Sequence, residues 1–143
     1  MTGLVKFFHL SFGEQLLLIR SLSLLFMAHL CLRFLSLQTT RRLFSTRVCS
    51  ATSHSVHQLV WAVTSASRRL PFISCMPRAI VAQRLLALHG FGAAMRIGVA
   101  PPGENKLQAH AWLEYEGEAV FGASELDRYT VLLTLEPERT PHV

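Results

Sequence analysis

The chain has 143 residues and a mass of 16.0 kDa, enough for one domain of ordinary size and too little for two. Half of the residues are apolar and 16% are charged, which excludes an intrinsically disordered chain, because such chains are rich in charge and poor in apolar side chains. The net charge of +5 is unevenly distributed. Residues 1–100 contain eleven Lys and Arg against one acid, Glu14, whereas residues 101–143 contain eight acids against three bases.

This charge split is typical of a protein with a partner of one charge, such as an acidic peptide, an anionic membrane or a nucleic acid. A basic helical face balanced by an acidic hairpin is the alternative interpretation. No nucleic-acid-binding motif accompanies the basic residues, so a nucleic-acid partner is not expected.

The predicted elements begin with an apolar N-terminal segment. Residues 14–37 predict a helix, with Glu14 in the first turn and basic residues toward the end, as the helix dipole favours. The longest charge-free run in this helix is twelve residues, residues 21–32. A membrane span needs about 20 apolar residues, so we expect a buried or membrane-surface helix. No signal-peptide cleavage site follows, and we interpret the segment as part of the mature domain.

The remainder of the first half also predicts helices. Residues 38–42 interrupt the apolar run, residues 45–55 form a polar connector, and residues 57–69 carry apolar side chains at helical spacing. The next helix has the clearest boundaries: Ser74 is a typical N-cap, Pro77 suits the first turn and Gly90 ends the helix. Cys75 is therefore predicted to be its first residue.

After Gly90 the apolar period changes to two, which is typical of strands. Strands are predicted at residues 93–99, 107–115, 118–121 and 129–135, with a loop at 101–105 and a two-residue turn at 116–117. On the second strand, residues 107, 109, 111, 113 and 115 share the face expected to be core, and His110 and Trp112 lie on the other face. Helices followed by an antiparallel sheet predict an α+β fold. We expect one domain over residues 1–143, with an N-terminal helical segment at 1–50 and a core at 55–135.

The three cysteines include no close pair, which predicts free thiols in a reducing, cytoplasmic compartment. No metal-binding motif is present, so neither a metal nor a cofactor is expected. Cys75 differs from the other two cysteines, because a helix N-terminus favours the thiolate and offers N–H groups to an oxyanion. His110, from the following sheet, would complete a thiol–imidazole pair. Taken singly, a buried cysteine and a structural histidine are the simpler interpretations.

Three sequence blocks carry a more specific signal. They are Cys75-Met76-Pro77-Arg78-Ala79, Arg96-Ile97-Gly98-Val99 and Ala109-His110-Ala111-Trp112-Leu113-Glu114. In this order the blocks resemble the lasso-peptide biosynthesis B2 proteins, transglutaminase-like leader peptidases that also form the C-terminal half of the microcin J25 processing enzyme. The resemblance covers nearly the whole chain, including the apolar N-terminal helix.

The resemblance implies a transglutaminase-like, papain-like cysteine protease core, in which a Cys-bearing helix packs on the antiparallel sheet. It implies that the protein removes the leader from a ribosomally made lasso-peptide precursor, with Cys75 as nucleophile and His110 as base. The implied partners are the precursor's leader peptide, a separate leader-recognition protein and an ATP-dependent macrolactam cyclase. No cofactor is implied for this chain.

The third catalytic position departs from the family. Members of the family usually have an Asp twelve or thirteen residues after the histidine, where this chain has Gly122 and Ala123. A two-residue turn at 116–117 would pair His110 with Ala123, so an orienting carboxylate is expected at position 123 or at its diagonals, 121 and 125. Glu125 is therefore the candidate acid, and Asp127 could reach only if the strand has already turned. A backbone carbonyl or an amide is the other candidate for this role.

Two other functions stay open at this point. A non-catalytic scaffold of the same fold would join the leader-recognition protein to the cyclase, and the missing Asp favours it. A membrane-surface protein built on the N-terminal helix is the other alternative, with peripheral membrane contact as its activity.

Overall fold

The structure, a computed structural model, describes residues 6, 8–49, 54–103, 106–123 and 126–137. Within these ranges, four helices precede a four-stranded antiparallel sheet with strand order β3-β2-β1-β4. The helices are α1 (Phe12–Phe34), α2 (Leu37–Phe44), α3 (Val56–Arg68) and α4 (Cys75–Leu88). The strands are β1 (Ala94–Gly103), β2 (Lys106–Tyr115), β3 (Glu118–Phe121) and β4 (Thr130–Leu135), with a 3-10 turn at Leu126–Arg128 before β4. The predicted α+β fold is confirmed.

Helix α1 begins in a capping box and ends earlier than predicted. The Glu14 N–H donates to Ser11 Oγ at 3.3 Å, and Glu14 Oε2 accepts from the Ser11 N–H at 2.9 Å. The helix ends at Phe34 because Ser36 starts a new one, its Oγ accepting from the Thr39 N–H at 3.2 Å. Residues 38–42, which interrupt the apolar run in the sequence, belong to this second helix, α2.

Helix α1 is part of the domain core. It packs on α3 and α4, and its buried face includes Leu18, Leu25 and Ala28, which are at most 1% exposed. Helix α4 in turn packs on β2 and β1, so one continuous core joins the helices to the sheet. Among the described helices, α1 alone is long and apolar enough to cross a membrane by length and composition.

Strand β1 is longer than predicted. It continues to Gly103, so the predicted loop at 101–105 is wrong for residues 101–103. The pairing of β1 with β2 shifts register between Ala100 and Gly103, an irregularity that accommodates two consecutive prolines lacking N–H donors. The ladder between these strands nevertheless places Gly98 opposite His110.

Strand β3 contains a bulge, which a strand register counted from the turn at 116–117 does not include. Tyr115 pairs with Glu118 as predicted, and Glu114 pairs with Ala119, but Leu113 pairs with Phe121. One additional residue of β3 lies between these pairs. The predicted pairing of His110 with Ala123 is therefore wrong.

The predicted faces of β2 are correct only in part. Ala111 and Leu113 are buried in the core as expected, but Ala109 is exposed. Trp112, on the face not expected to be core, is only 3% exposed. A second, aromatic cluster therefore covers the other side of this strand.

Candidate active site

Cys75 is the first residue of α4, as the sequence predicts. Ser74 is the N-cap in an extended conformation, with φ −74° and ψ 177°, but its side chain makes no capping hydrogen bond. Pro77 has no N–H, and the first N–H groups of a helix have no partner within it. The N–H groups of Cys75 and Met76 are therefore left unsatisfied by the helix and by the Ser74 side chain.

The Cys75 thiol is half-buried and packs against the main core. It is not in a disulfide, and among the described residues it makes no hydrogen bond. Cys31 and Cys49 are also free, but Cys31 lies near the C-terminal end of α1 and Cys49 lies outside any helix or strand. Only Cys75 combines a free thiol with a helix N-terminus.

An open cleft of about 520 Å³ lies beside this helix start. One wall comes from the last two turns of α1, with His29, Arg33 and Phe34 among its side chains, and the other wall comes from Ser74 and Pro77. The His29 ring also makes an edge contact with the Phe72 ring, with centroids 5.3 Å apart. Cys75 itself is not among the lining residues of this cleft. Sequence reasoning did not assign the α1 residues to the site, because they come next to Ser74 and Pro77 only when α1 packs on α4.

His110 is held on β2 by a backbone carbonyl. Its Nε2 lies 2.7 Å from the carbonyl oxygen of Gly122. A carbonyl oxygen only accepts hydrogen bonds, so Nε2 carries the hydrogen. In the neutral imidazole, Nδ1 is then the nitrogen with a free lone pair, able to act as a base.

Two aromatic rings fix the plane of this imidazole. The Trp112 ring stacks near it with centroids 6.0 Å apart, and the Tyr129 ring lies at 5.2 Å. Trp112 in turn lies against Gly98, where an added Cβ would be 3.0 Å from two of its ring carbons. Glycine at position 98 therefore makes room for the indole that supports His110.

Of the two acids considered for orienting His110, the structure describes only Asp127, and Asp127 does not bond to it. Glu125 lies outside the described residues. Asp127 is exposed in the 3-10 turn, with no hydrogen bond to His110. Glu114 accepts instead from Arg96 Nε at 2.7 Å and from Trp112 Nε1 at 3.2 Å. The described partner of His110 is the Gly122 carbonyl, a backbone group of the kind left open as the alternative to a carboxylate.

The structure places Cys75 and His110 on elements that pack together, without a direct bond between them. Helix α4 packs on β2, but no hydrogen bond between Cys75 and His110 occurs among the described residues. Cys75 packs against the core that contains Ala111, whereas His110 has the opposite parity on the strand. In this structure the thiol and the imidazole are therefore not assembled as a hydrogen-bonded pair.

A family model described as the transglutaminase-like superfamily matches residues 22–134. The chain belongs to this superfamily. Its members typically include cysteine proteases and transferases. The match begins inside α1 and includes both Cys75 and His110. Searches of the curated proteins and of the solved structures returned no match to the chain.

The described residues contain no group of three or more His, Cys, Asp or Glu side chains that could hold a metal ion. The groups that the described site offers are a thiol, an imidazole and backbone N–H groups. These are the groups that cysteine-dependent acyl transfer uses.

Proposed function

We propose that this transglutaminase-like protein is a cysteine peptidase that removes the leader peptide from a lasso-peptide precursor, with a separate leader-recognition protein. The observation that carries the proposal is Cys75, which starts α4 with uncapped N–H groups. The surrounding Cys-x-Pro-Arg-Ala block, together with the Arg-Ile-Gly-Val and Ala-His-Ala-Trp blocks, supports the specific substrate class.

The proposed reaction has two steps. The Cys75 thiolate attacks the scissile carbonyl, and the N–H groups at the start of α4 bind the resulting oxyanion. The C–N bond then breaks, the protonated His110 gives its proton to the leaving amine, and the leader remains as a thioester on Cys75. In the second step His110 removes a proton from water, which attacks the thioester and releases the leader as a carboxylate.

The hydrogen bond to Gly122 supports the role of His110. A base for this reaction needs a free ring nitrogen and a fixed ring. The hydrogen bond of Nε2 to the Gly122 carbonyl, at 2.7 Å, leaves Nδ1 free. Trp112 and Tyr129 restrict the plane of the ring. Gly122 is one of the two positions, twelve and thirteen residues after the histidine, at which the resemblance places an Asp.

The cleft beside Cys75 supports a peptide substrate. It is open to solvent and offers an aromatic side chain, Phe34, a cation, Arg33, and the ring of His29. An extended peptide can bind to such a mixture of apolar and polar groups through both its side chains and its carbonyls.

A non-catalytic scaffold of the same fold is the second candidate. The observation that favours it is the lack of a hydrogen bond between Cys75 and His110, together with a neutral carbonyl in place of the family carboxylate. A scaffold would need the fold and the surfaces of the protein but not the thiol.

The test compares single cysteine variants with the precursor and the leader-recognition protein present. Cys75→Ala is expected to abolish leader cleavage, whereas Cys31→Ala and Cys49→Ala are expected to keep it, because neither of those thiols lies at a helix N-terminus. Mass spectrometry of the products measures cleavage, and circular dichroism checks that each variant is folded. Cleavage by Cys75→Ala at the wild-type rate would refute the peptidase.

Alkylation by iodoacetamide at neutral pH tests whether the thiol and the imidazole act together. We expect Cys75 to react faster than Cys49, although Cys49 is the more exposed, and we expect His110→Ala to remove this difference. Equal reactivity of the two thiols in the wild-type protein, with no cleavage, would favour the scaffold.

A further inference from the structure

Helix α1 carries an exposed apolar stripe, defined here by seven side chains. Their exposed fractions are Phe12 75%, Leu16 51%, Ile19 49%, Phe26 49%, Met27 57%, Leu30 40% and Phe34 78%. The residues recur at helical spacing, so they form one continuous face about 35 Å long at 1.5 Å per residue. An apolar patch of this extent on a soluble protein marks an interaction site.

The core does not account for this stripe. The buried face of the helix is formed by Leu17, Leu18, Ser21, Leu25 and Ala28. At 100° per residue, the buried face and the stripe lie on opposite sides of the helix. Burying the core face therefore leaves the whole stripe in solvent.

One polar residue lies between the seven apolar side chains of the stripe, and its hydroxyl is already hydrogen-bonded. Ser23 lies among the apolar side chains, and its hydroxyl donates to the Ile19 carbonyl of the same helix at 3.0 Å. A hydroxyl satisfied within its own helix can enter an apolar environment at little cost, because no donor is left without a partner. The stripe therefore presents no side-chain donor that requires water.

Basic side chains border the stripe on both edges. Arg20 and Arg33 are exposed and lie about 70° to either side of its centre. Glu14, the only acid within residues 1–100, lies on the opposite side of α1, where it is bonded to Ser11. Helix α2 adds an exposed cation and an exposed apolar side chain, Arg42 and Leu43.

We propose that α1 docks this stripe on an anionic lipid surface, with the helix lying parallel to the membrane. An apolar face bordered by cations is the pattern of interfacial helices, in which the apolar side chains enter the acyl boundary and the cations bind lipid phosphates. The opposite face of α1 is buried in the protein core, so the helix lies on the bilayer and does not span it. A second copy of the chain is disfavoured as the occupant, because contact would bring two strongly basic helical halves together.

The test is co-sedimentation of the full chain with vesicles. We expect binding to vesicles of phosphatidylcholine mixed with phosphatidylglycerol, little binding to phosphatidylcholine alone, and weaker binding as the salt concentration rises from 0.1 to 0.5 M. Arg20→Gln should lower the affinity about fivefold, as expected for one cation near an anionic surface. The double variant Ile19→Ser/Phe26→Ser should lower it at least tenfold.

The matched control is Leu132→Ser, which removes an apolar side chain of 66% exposure from β4 instead of α1. It should bind vesicles as the wild type does. All variants are compared by thermal unfolding, and Phe34 is left unchanged because it also lines the cleft beside Cys75.

Three outcomes would overturn the proposal. The first is no binding of the folded wild type to anionic vesicles at low salt. The second is equal loss of binding in Leu132→Ser and in the double α1 variant. The third is a concentration-dependent dimer in sedimentation velocity that the double α1 variant abolishes, since the stripe would then be covered by a second copy of the chain.

Discussion

The hydrogen bond from His110 to the Gly122 carbonyl predicts a specific effect of Gly122→Ala. Gly122 has a φ of 71°, a conformation that side chains with a Cβ rarely adopt. A Cβ at this position would also lie 3.1 Å from the Ala111 carbonyl oxygen and 3.4 Å from Trp112 Cα. The backbone can relieve both contacts only by moving the segment whose carbonyl holds His110.

The expected loss of stability has two parts. The left-handed conformation costs alanine about 1–2 kcal/mol relative to glycine. Crowding against β2 and a weaker hydrogen bond to His110 add about 1–3 kcal/mol, the usual range for an overpacked site. Together these give a decrease of about 2–5 kcal/mol in the free energy of unfolding.

Gly117→Ala is the matched control, because Gly117 has a φ of 82° but no atom within 4 Å of an added Cβ. It should cost only the conformational part, about 1–2 kcal/mol. Urea unfolding measures the stability of both variants, and nitrogen-15 spectra of the histidine side chains report which ring nitrogen of His110 carries the hydrogen. Leader cleavage should fall in Gly122→Ala and be preserved in Gly117→Ala. Equal losses of stability with an unchanged His110 tautomer in both variants would refute the role of the Gly122 carbonyl.

Two further predictions concern the acids and helix α1. Glu125→Gln should cleave precursor at the wild-type rate, because the Nε2 hydrogen of His110 is already donated to a carbonyl. Mass spectrometry measures the cleavage rate. A tenfold decrease in this rate would return the orienting role to Glu125. In urea unfolding, Leu25→Ala, at 0% exposure, should lower stability by about 2–5 kcal/mol. The matched Leu16→Ala, at 51% exposure on the same helix, should change it by less than about 0.5 kcal/mol, and similar effects of the two would contradict the packing of α1 on the core.

The elements with strong local signals could be predicted from the sequence. Helix α4 begins at Cys75 as predicted, because Ser74 takes the extended N-cap conformation and Pro77 fits the first turn, although the Ser74 side chain makes no capping hydrogen bond. Strand β3 also has its predicted bounds, because Glu116-Gly117 fixes a tight turn before it. Helix α2 was not predicted as a separate helix, because most of its residues are polar. Its Thr40 and Phe44 are buried through tertiary contacts, which no local pattern indicates.

Contacts between distant segments account for what the sequence could not predict at the site. The cleft beside Cys75 combines the end of α1 with the start of α4, and no local pattern relates the two. Trp112 is buried, although its face of β2 was not expected to be part of the core. Tyr129 and Gly98 come next to Trp112 because β1 pairs with both β2 and β4. Neither partner is close to Trp112 in sequence.

The third catalytic position shows why a residue-by-residue comparison with a family can mislead. A backbone carbonyl has no residue type to recognise, and the bulge in β3 shifts the register by which its position would be inferred. A carbonyl also performs only part of the work of a carboxylate: it fixes the ring and its tautomer, but as a neutral group it stabilises the imidazolium less. An Asp introduced at position 122 would place a Cβ 3.1 Å from the Ala111 oxygen at a φ of 71°, so the backbone that holds His110 through its carbonyl favours glycine at this position.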